Sequence, residues 1–166
     1  MRSSASALPL LLTACATTSD LPAGPVTLDP IAFFEGETRG TGTLDPIVGR
    51  TVPVRVDSLG VREGNSLRLT QLIKEGDKPA RTRVWTFRTL EGGGYLGTLT
   101  DAQGIVSMDL RGPRAFVGYT TPSGLRIHQQ LALQADGRTI LNRLEAYKFG
   151  IRLAVLDETI RKPLAK

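Results

Sequence analysis

From Val52 onward, apolar and polar residues alternate with a period of two. Val52, Val54 and Val56 fall on one side of an extended segment, with Arg55 and Asp57 on the other. Leu67, Leu69 and Ile73 repeat the pattern, with Gln71 interrupting the apolar side. Arg81 to Leu90 is rich in Thr, Val, Trp and Phe; Gly92-Gly93-Gly94 breaks it and Tyr95 to Thr100 resumes it, which predicts a hairpin. Further strands are predicted at Ile105–Leu110, Ala115–Thr120, Leu125–Gln134, Thr139–Lys148 and Ile151–Leu156. Turn chemistry separates them, at Gly112-Pro113, Pro122-Ser123-Gly124 and Asp136-Gly137. Helical periodicity is short by comparison. Asp29 is placed as an N-cap and Pro30 as the first helical residue, and Gly36 and Gly40 limit the helix to about two turns. A weak helical period recurs near the C-terminus.

About nine or ten short strands joined by tight turns predict a sandwich or an up-and-down barrel. Sequential hairpins favour the meander, and closure removes the exposed sheet edges. The expectation is therefore an all-β chain: one antiparallel up-and-down β-barrel with a short N-terminal helix, its strands running from about Phe33 to Leu156.

The first residues follow a different rule. Arg2 supplies one positive charge, and Ala5 to Ala14 form an apolar run ending at Cys15, the one cysteine. Such a run is shorter than the ~20 apolar residues that span a bilayer, but it fits a secretory signal. Leu12-Thr13-Ala14-Cys15 resembles the lipobox of bacterial lipoproteins. That resemblance implies a signal peptide over residues 1–14 and a diacylglyceryl group on Cys15. Ala16 in the next position, where lipoproteins kept at the inner membrane usually carry Asp, implies the periplasmic face of the outer membrane. Residues 15–27, with Thr, Ser, Pro and Gly and no apolar period, are expected to be a flexible tether, and residues 28–166 the barrel domain.

Composition narrows the partners. A mature chain of about 150 residues makes one domain with a real core. The net charge of +5 would point a cytosolic protein towards nucleic acid. In the envelope, lipid head groups, lipopolysaccharide and peptidoglycan are the acidic neighbours, and the arginines are scattered without a basic block. No nucleic-acid site is expected, the partner is the membrane through the lipid anchor, and the chain is expected to be a monomer. One cysteine excludes an intramolecular disulfide.

Several segments resemble, in order, a bacterial lipoprotein family known as domain-of-unknown-function family 3833. They are Phe33-Phe34-Glu35-Gly36 with Gly40 and Gly42; Arg83-Val84-Trp85; Tyr95-Leu96-Gly97 with Asp101 and Gly104; and Asn142-Arg143 followed by Lys148-Phe149-Gly150. Asp45 to Val56 matches only loosely. The resemblance implies a barrel of the calycin kind, the group that includes lipocalins and fatty-acid-binding proteins, and with it a lipid-binding role. It implies no established activity.

Catalytic chemistry finds little footing. His128 is the one histidine, which removes multi-histidine metal sites, and its strand places it on the polar face with Arg126 and Gln130. The triple glycine precedes a strand and no helix, so it is no phosphate loop. No carboxylate pair can be assembled, no metal or cofactor is expected, and the reading leans away from an enzyme.

Binding chemistry has one strand to rest on. Arg83, Trp85 and Phe87 share a face by period two. An arginine beside two aromatics inside a barrel suits an acyl chain with an anionic head group. The alternative is plain core at Trp85 and Phe87, with Arg83 paired to a carboxylate such as Asp101 or Glu145. Tyr95 and Arg143, from the family-like segments, complete the candidate ligand-binding set. Asn142 and Arg143 point to opposite faces of a strand, so at most one of them lines the interior. Lys148-Phe149-Gly150 reads as a sharp bend in which Gly150 supplies the unusual backbone angle.

Two functions stay open. One is a carrier or sensor holding a small apolar ligand, a fatty acid or phospholipid, in the barrel. The other is a structural or interaction lipoprotein without a ligand. Both share the anchor, and Cys15→Ser removes the thiol that would carry it. The variant is expected to accumulate as an uncleaved precursor or to leave the outer-membrane fraction. Fractionation and migration identical to the parent would refute the lipobox.

Overall fold

A computed structural model describes residues 20–164 of the chain. Cys15, the signal segment and the start of the expected tether lie outside the described residues. The order is α1 (Pro30–Phe34), β1 (Gly36–Pro46), β2 (Val52–Glu63), β3 (Ser66–Glu75), β4 (Arg81–Thr89), β5 (Tyr95–Leu99), β6 (Val106–Arg111), β7 (Arg114–Thr120), β8 (Arg126–Leu133), β9 (Thr139–Lys148) and β10 (Ile151–Arg161). Each strand pairs antiparallel with the next, and β1 closes on β10. The all-β expectation thus holds: this is a closed ten-stranded meander barrel with one small helix.

Two strands depart from the sequence pattern. Alternation predicts no strand over β1, which carries Gly36, Gly40 and Gly42 among Thr, Glu and Arg, a composition of weak strand propensity. It is extended because its backbone pairs on both sides, from Gly36 to Leu44 against β2 and from Arg39 to Pro46 against β10. The weak helical period near the C-terminus is likewise overridden, since β10 continues to Arg161 against β9 and β1.

Helix α1 plugs one end of the barrel. Asp29 is its N-cap, accepting from the Ile31 and Ala32 N–H groups at 2.9 and 3.1 Å, and Pro30 opens the helix. Leu28, Ile31, Phe33 and Phe34 are all buried. They close over Leu67, Phe87, Tyr95, Leu131, Ile140 and Ile160, which are the inward residues at that end of the strands. Burying each such side chain contributes about 1.5–3 kcal/mol. The plug seats so closely that a Cβ on Gly60 would collide with the Phe34 carbonyl. The Tyr95 hydroxyl donates to Asp29 Oδ1 at 3.2 Å, tying the cap to the wall. Burial, followed by the Asp29 charge, pushes that hydroxyl's pKa up to about 12.

The later part of the expected tether, residues 20–27, is not free. It lies along the outside of β7 and β8. The Gly24 N–H bonds the Leu133 carbonyl at 2.7 Å, the Leu21 N–H bonds Gln130 Oε1 at 3.1 Å, and Arg114 donates to the Leu21 carbonyl at 2.8 Å. The opposite end of the barrel carries no plug among the described residues. There the β1–β3 and β10 side is walled by a smaller apolar cluster of Val54, Val56 and Ile73, with half-buried Leu44 and Leu156 packed against it, while Leu99, Val106 and Tyr119 carry the main core to that end on the β5–β7 side.

Asp29 holds both the helix start and Tyr95. Asp29→Ala is expected to lower the stability of the chain by about 1–2 kcal/mol in urea unfolding. Tyr95→Phe, which removes one of the three bonds, is expected to cost less. Equal stability of Asp29→Ala and the parent would mean that the plug is held by packing alone.

Candidate functional site

Between the plug-side core and the apolar cluster at the mouth lies a layer of polar side chains. Alternation along β4 turns Arg83, Trp85 and Phe87 inward, as the period-two reading expects, and Trp85 and Phe87 are buried. Gln71, the residue that interrupts the apolar side of β3, is buried beside them. Its Oε1 accepts from Arg83 Nε at 3.0 Å and from Trp85 Nε1 at 3.1 Å, and its Nε2 donates to Ser58 Oγ at 3.3 Å. The amide therefore fixes the indole and the guanidinium together. The two terminal nitrogens of Arg83 make no hydrogen bond among the described residues.

A second string faces the first across the barrel. Gln129 Nε2 donates to Asn142 Oδ1 at 2.9 Å, and Asn142 Nδ2 donates to Glu158 Oε2 at 2.8 Å. All three residues are buried. Gln129 Oε1 and Glu158 Oε1 are buried without a partner among the described residues. Such oxygens cost free energy unless something donates to them. Burial raises the Glu158 pKa, the Asn142 bond and the Arg83 charge opposing it. The carboxyl has its place because β1 carries glycine there: a Cβ on Gly40 would overlap Glu158 Oε1.

Both strings border one cavity of about 40 Å³, walled otherwise by Phe34, Leu69, Met108, Val117, Leu131 and Ile160. That is room for roughly two or three waters and far below the roughly 300–1,000 Å³ of a typical ligand pocket.

The other candidates fall elsewhere. Arg83 pairs with neither Asp101 nor Glu145: Asp101 binds Arg81 at 2.7 Å, and Glu145 binds Arg152 at 2.7 Å on the outer wall. Arg143 is not in the interior set. It projects outward and pairs with Asp157 at 2.7 Å, because its neighbour Asn142 takes the inward register. Tyr95 is inward but belongs to the plug end, edge-on to Phe87 at 5.9 Å. His128 is exposed on the outer wall, edge-on to Tyr147 at 5.4 Å. A concavity of about 350 Å³ lies there, lined by Phe116, His128, Gln130, Arg143 and Glu145 among others. Gln130 donates to Asp20 and accepts from the Leu21 N–H, so the N-terminal segment forms one wall of that hollow. Glu158 and Gln129 are site residues that the sequence pattern does not single out, and Gln71 stands out in it only as an interruption of an apolar face. The signal of Glu158 and Gln129 is polarity in an inward register, visible only once the registers of β8 and β10 are known.

The buried carboxyl gives the site a pH signature. At low pH, Glu158 is neutral in both folded and unfolded chains. Above about pH 4.5 the unfolded chain ionises first, so the folded state loses stability until its own raised pKa is passed. Glu158→Gln is therefore expected to be more stable than the parent at pH 7 and to differ little from it near pH 4, by urea midpoints at both values. A parent more stable than the variant at pH 7 would mean that the carboxylate is ionised and paired with Arg83.

A solved structure of an S-type phycobiliprotein lyase, CPES, from Guillardia theta is similar to this barrel. It superposes with a TM-score of 0.63 over 82% of this chain and 92% of that one, at 10% sequence identity. At that identity the likeness is one of fold, and it makes this a calycin-like barrel. No curated protein matches the sequence. The family described as "Protein of unknown function (DUF3833)" matches residues 9–162, nearly the whole chain and all ten strands of the barrel, and the protein belongs to that family.

Proposed function

We propose that this protein binds a small ligand with an anionic head and an apolar body, a fatty acid or related lipid, inside the barrel. The observation that carries the reading is the polar layer around the small cavity. Arg83 presents two unbonded donor nitrogens, and Glu158 and Gln129 present two unpartnered oxygens, in an otherwise apolar interior. A neutral Glu158 can donate as well as accept, so a carboxylate seated there would take a forked bond from Arg83 and a proton bond from Glu158. Buried groups that cost stability are commonly kept for binding. The lyase likeness supports a barrel suited to small ligands and says nothing of their identity.

The volume sets the geometry of this reading. About 40 Å³ accommodates a head group and no chain. The tail is assigned to the unplugged end, past Val54 and Ile73 and along half-buried Leu44 and Leu156. Met108, an adaptable side chain on the cavity wall, is the residue best able to yield further room. The filled interior is also the observation that favours the second reading, an interaction lipoprotein without a ligand.

Titration with fatty acids and lysophospholipids separates the two. Trp85 borders the cavity and shares Gln71 with Arg83, so a bound head group is expected to change its fluorescence. Arg83→Ala is expected to weaken anionic ligands by roughly tenfold or more relative to neutral ones of equal chain length, the loss of a charge-assisted bond of about 1.5–3 kcal/mol. No fluorescence response to any acyl ligand, with no lipid retained on purification by mass spectrometry, would remove the carrier and leave the structural reading.

A further inference from the structure

The loops at the unplugged end are unequal. On the β3–β4 and β5–β6 side, charges of both signs neutralise one another: Glu75 with Lys78 and Arg81, and Arg81 with Asp101. On the side where β1 meets β10, the rim is apolar and basic. Phe149 is 93% exposed, Val48 84%, Ile47 64% and Ile151 57%. These residues are neighbours. The Ile47 N–H bonds the Leu153 carbonyl at 2.7 Å, which continues the β1–β10 ladder outward, and Lys148 pairs with Ile151 across the tight turn that carries Phe149.

That turn is built against local preference. Phe149 and Gly150 both have positive φ, 52° and 81°, the signature of a type I′ hairpin. Asn or Gly suits the first of these positions, and an aromatic side chain there is strained. Gly150 supplies an unusual angle as expected, and Phe149 shares it. The turn leaves a large ring exposed to water at the barrel rim, with Lys148 Nζ 5.8 Å from its centre. Arg50, Arg126 and Lys148 flank this side. None of them forms an ion pair among the described residues, and Lys148 donates only to the Ser123 carbonyl, at 3.1 Å. Of the nearby acids, Glu145 is paired with Arg152 and accepts from Tyr147, while Asp45 accepts from the Thr51 hydroxyl and is the one acid here without a cation partner among the described residues, against three such cations.

We propose that this side of the rim docks on an anionic bilayer surface. Phe149, Val48, Ile47 and Ile151 would enter the interfacial region while Arg50, Arg126 and Lys148 meet lipid phosphates. Apolar tips ringed by cations without acidic partners fit such a surface in both respects, and apolar patches of this kind mark interaction sites. A second observation gives the same orientation, resting on the lipid-anchor reading. From Gly24 back to Asp20 the chain runs along β8 from Leu133 to Gln130, towards the unplugged end. Gln130 is four residues short of Arg126 at that end, about 13 Å of strand. Cys15 precedes Asp20 by five positions, and five extended residues reach about 17 Å. An acyl group on Cys15 and the Phe149 rim can therefore meet one membrane plane, with the barrel mouth turned to the lipid.

The test uses the chain from residue 15 onward with Cys15→Ser, so that neither the apolar signal segment nor the lipid anchor is present and failure of the anchor reading is separate from that of the rim. Vesicles of equal parts phosphatidylglycerol and phosphatidylcholine are compared with pure phosphatidylcholine in sedimentation. Binding is expected to favour the anionic vesicles and to fall at least tenfold in F149D and V48D. V61D changes an exposed apolar residue at the plug end of β2 and is expected to bind like its parent. In F149W the emission of the new indole is expected to shift to the blue on vesicle addition and to be quenched by brominated lipid. Equal losses in V61D and F149D would overturn the proposal. So would an F149W indole whose emission stays at its aqueous position while the chain binds, or vesicle binding that is indifferent to all three aspartate substitutions.

Discussion

The closure of β1 against β10 is the contact on which the rest of this structure depends. It turns a ten-stranded meander into a barrel and leaves no free sheet edge. It also sets a register in which Gly42 lies opposite Glu158 and Gly40 opposite Ile160. With glycine inside β1, the Glu158 carboxyl can lie against the β1 backbone; a Cβ at Gly40 would overlap it and force the carboxyl tip to move. One pairing therefore decides both the global topology and the presence of a carboxyl at the centre.

The interior that results is layered. At the plug end, α1 and the large apolar residues make a dense core. In the middle, Gln71 and Asn142 act as amide connectors, each accepting and donating, so that Arg83, Trp85, Ser58, Gln129 and Glu158 are held in defined positions. At the unplugged end the wall is apolar again but half open. A polar layer inserted between two apolar ones is costly in a barrel of this size, and its unpartnered oxygens are where that cost is concentrated. The plug makes the barrel one-ended, so anything that enters must enter at the rim where Phe149 and Val48 stand in water.

What is legible in the sequence follows from local rules. Period-two alternation and Gly, Pro and Asp-Gly turns have one physical meaning wherever they occur, so most of the strands, the meander and the inward face of Arg83, Trp85 and Phe87 can be read directly. So can the Asp29-Pro30 helix start, because a cap acts on its own two or three residues. Where tertiary pairing overrides propensity, the local pattern misleads. The glycine-rich β1 has no apolar alternation of its own, and β10 extends past the point where its sequence pattern weakens.

Which side chains meet was decided only by the tertiary structure. Arg83 could have met Asp101 or Glu145 on sequence grounds, but it lies against Gln71, because register assigns Asp101 to Arg81 and turns Glu145 outward. Alternation allows either Asn142 or Arg143 to face inward and the family-like segment puts Arg143 in the ligand-binding set, but the pairing of β9 with β8 and β10 sends Asn142 inward and Arg143 to Asp157. A shift of one residue would have exchanged them, since neighbours on a strand face opposite ways. The sequence alone determined a barrel with an aromatic, arginine-bearing inner strand, because those properties arise within a few consecutive residues. The buried Glu158, its glycine niche and the narrowness of the cavity arise between strands at opposite ends of the chain, and only closure of the barrel brings them together.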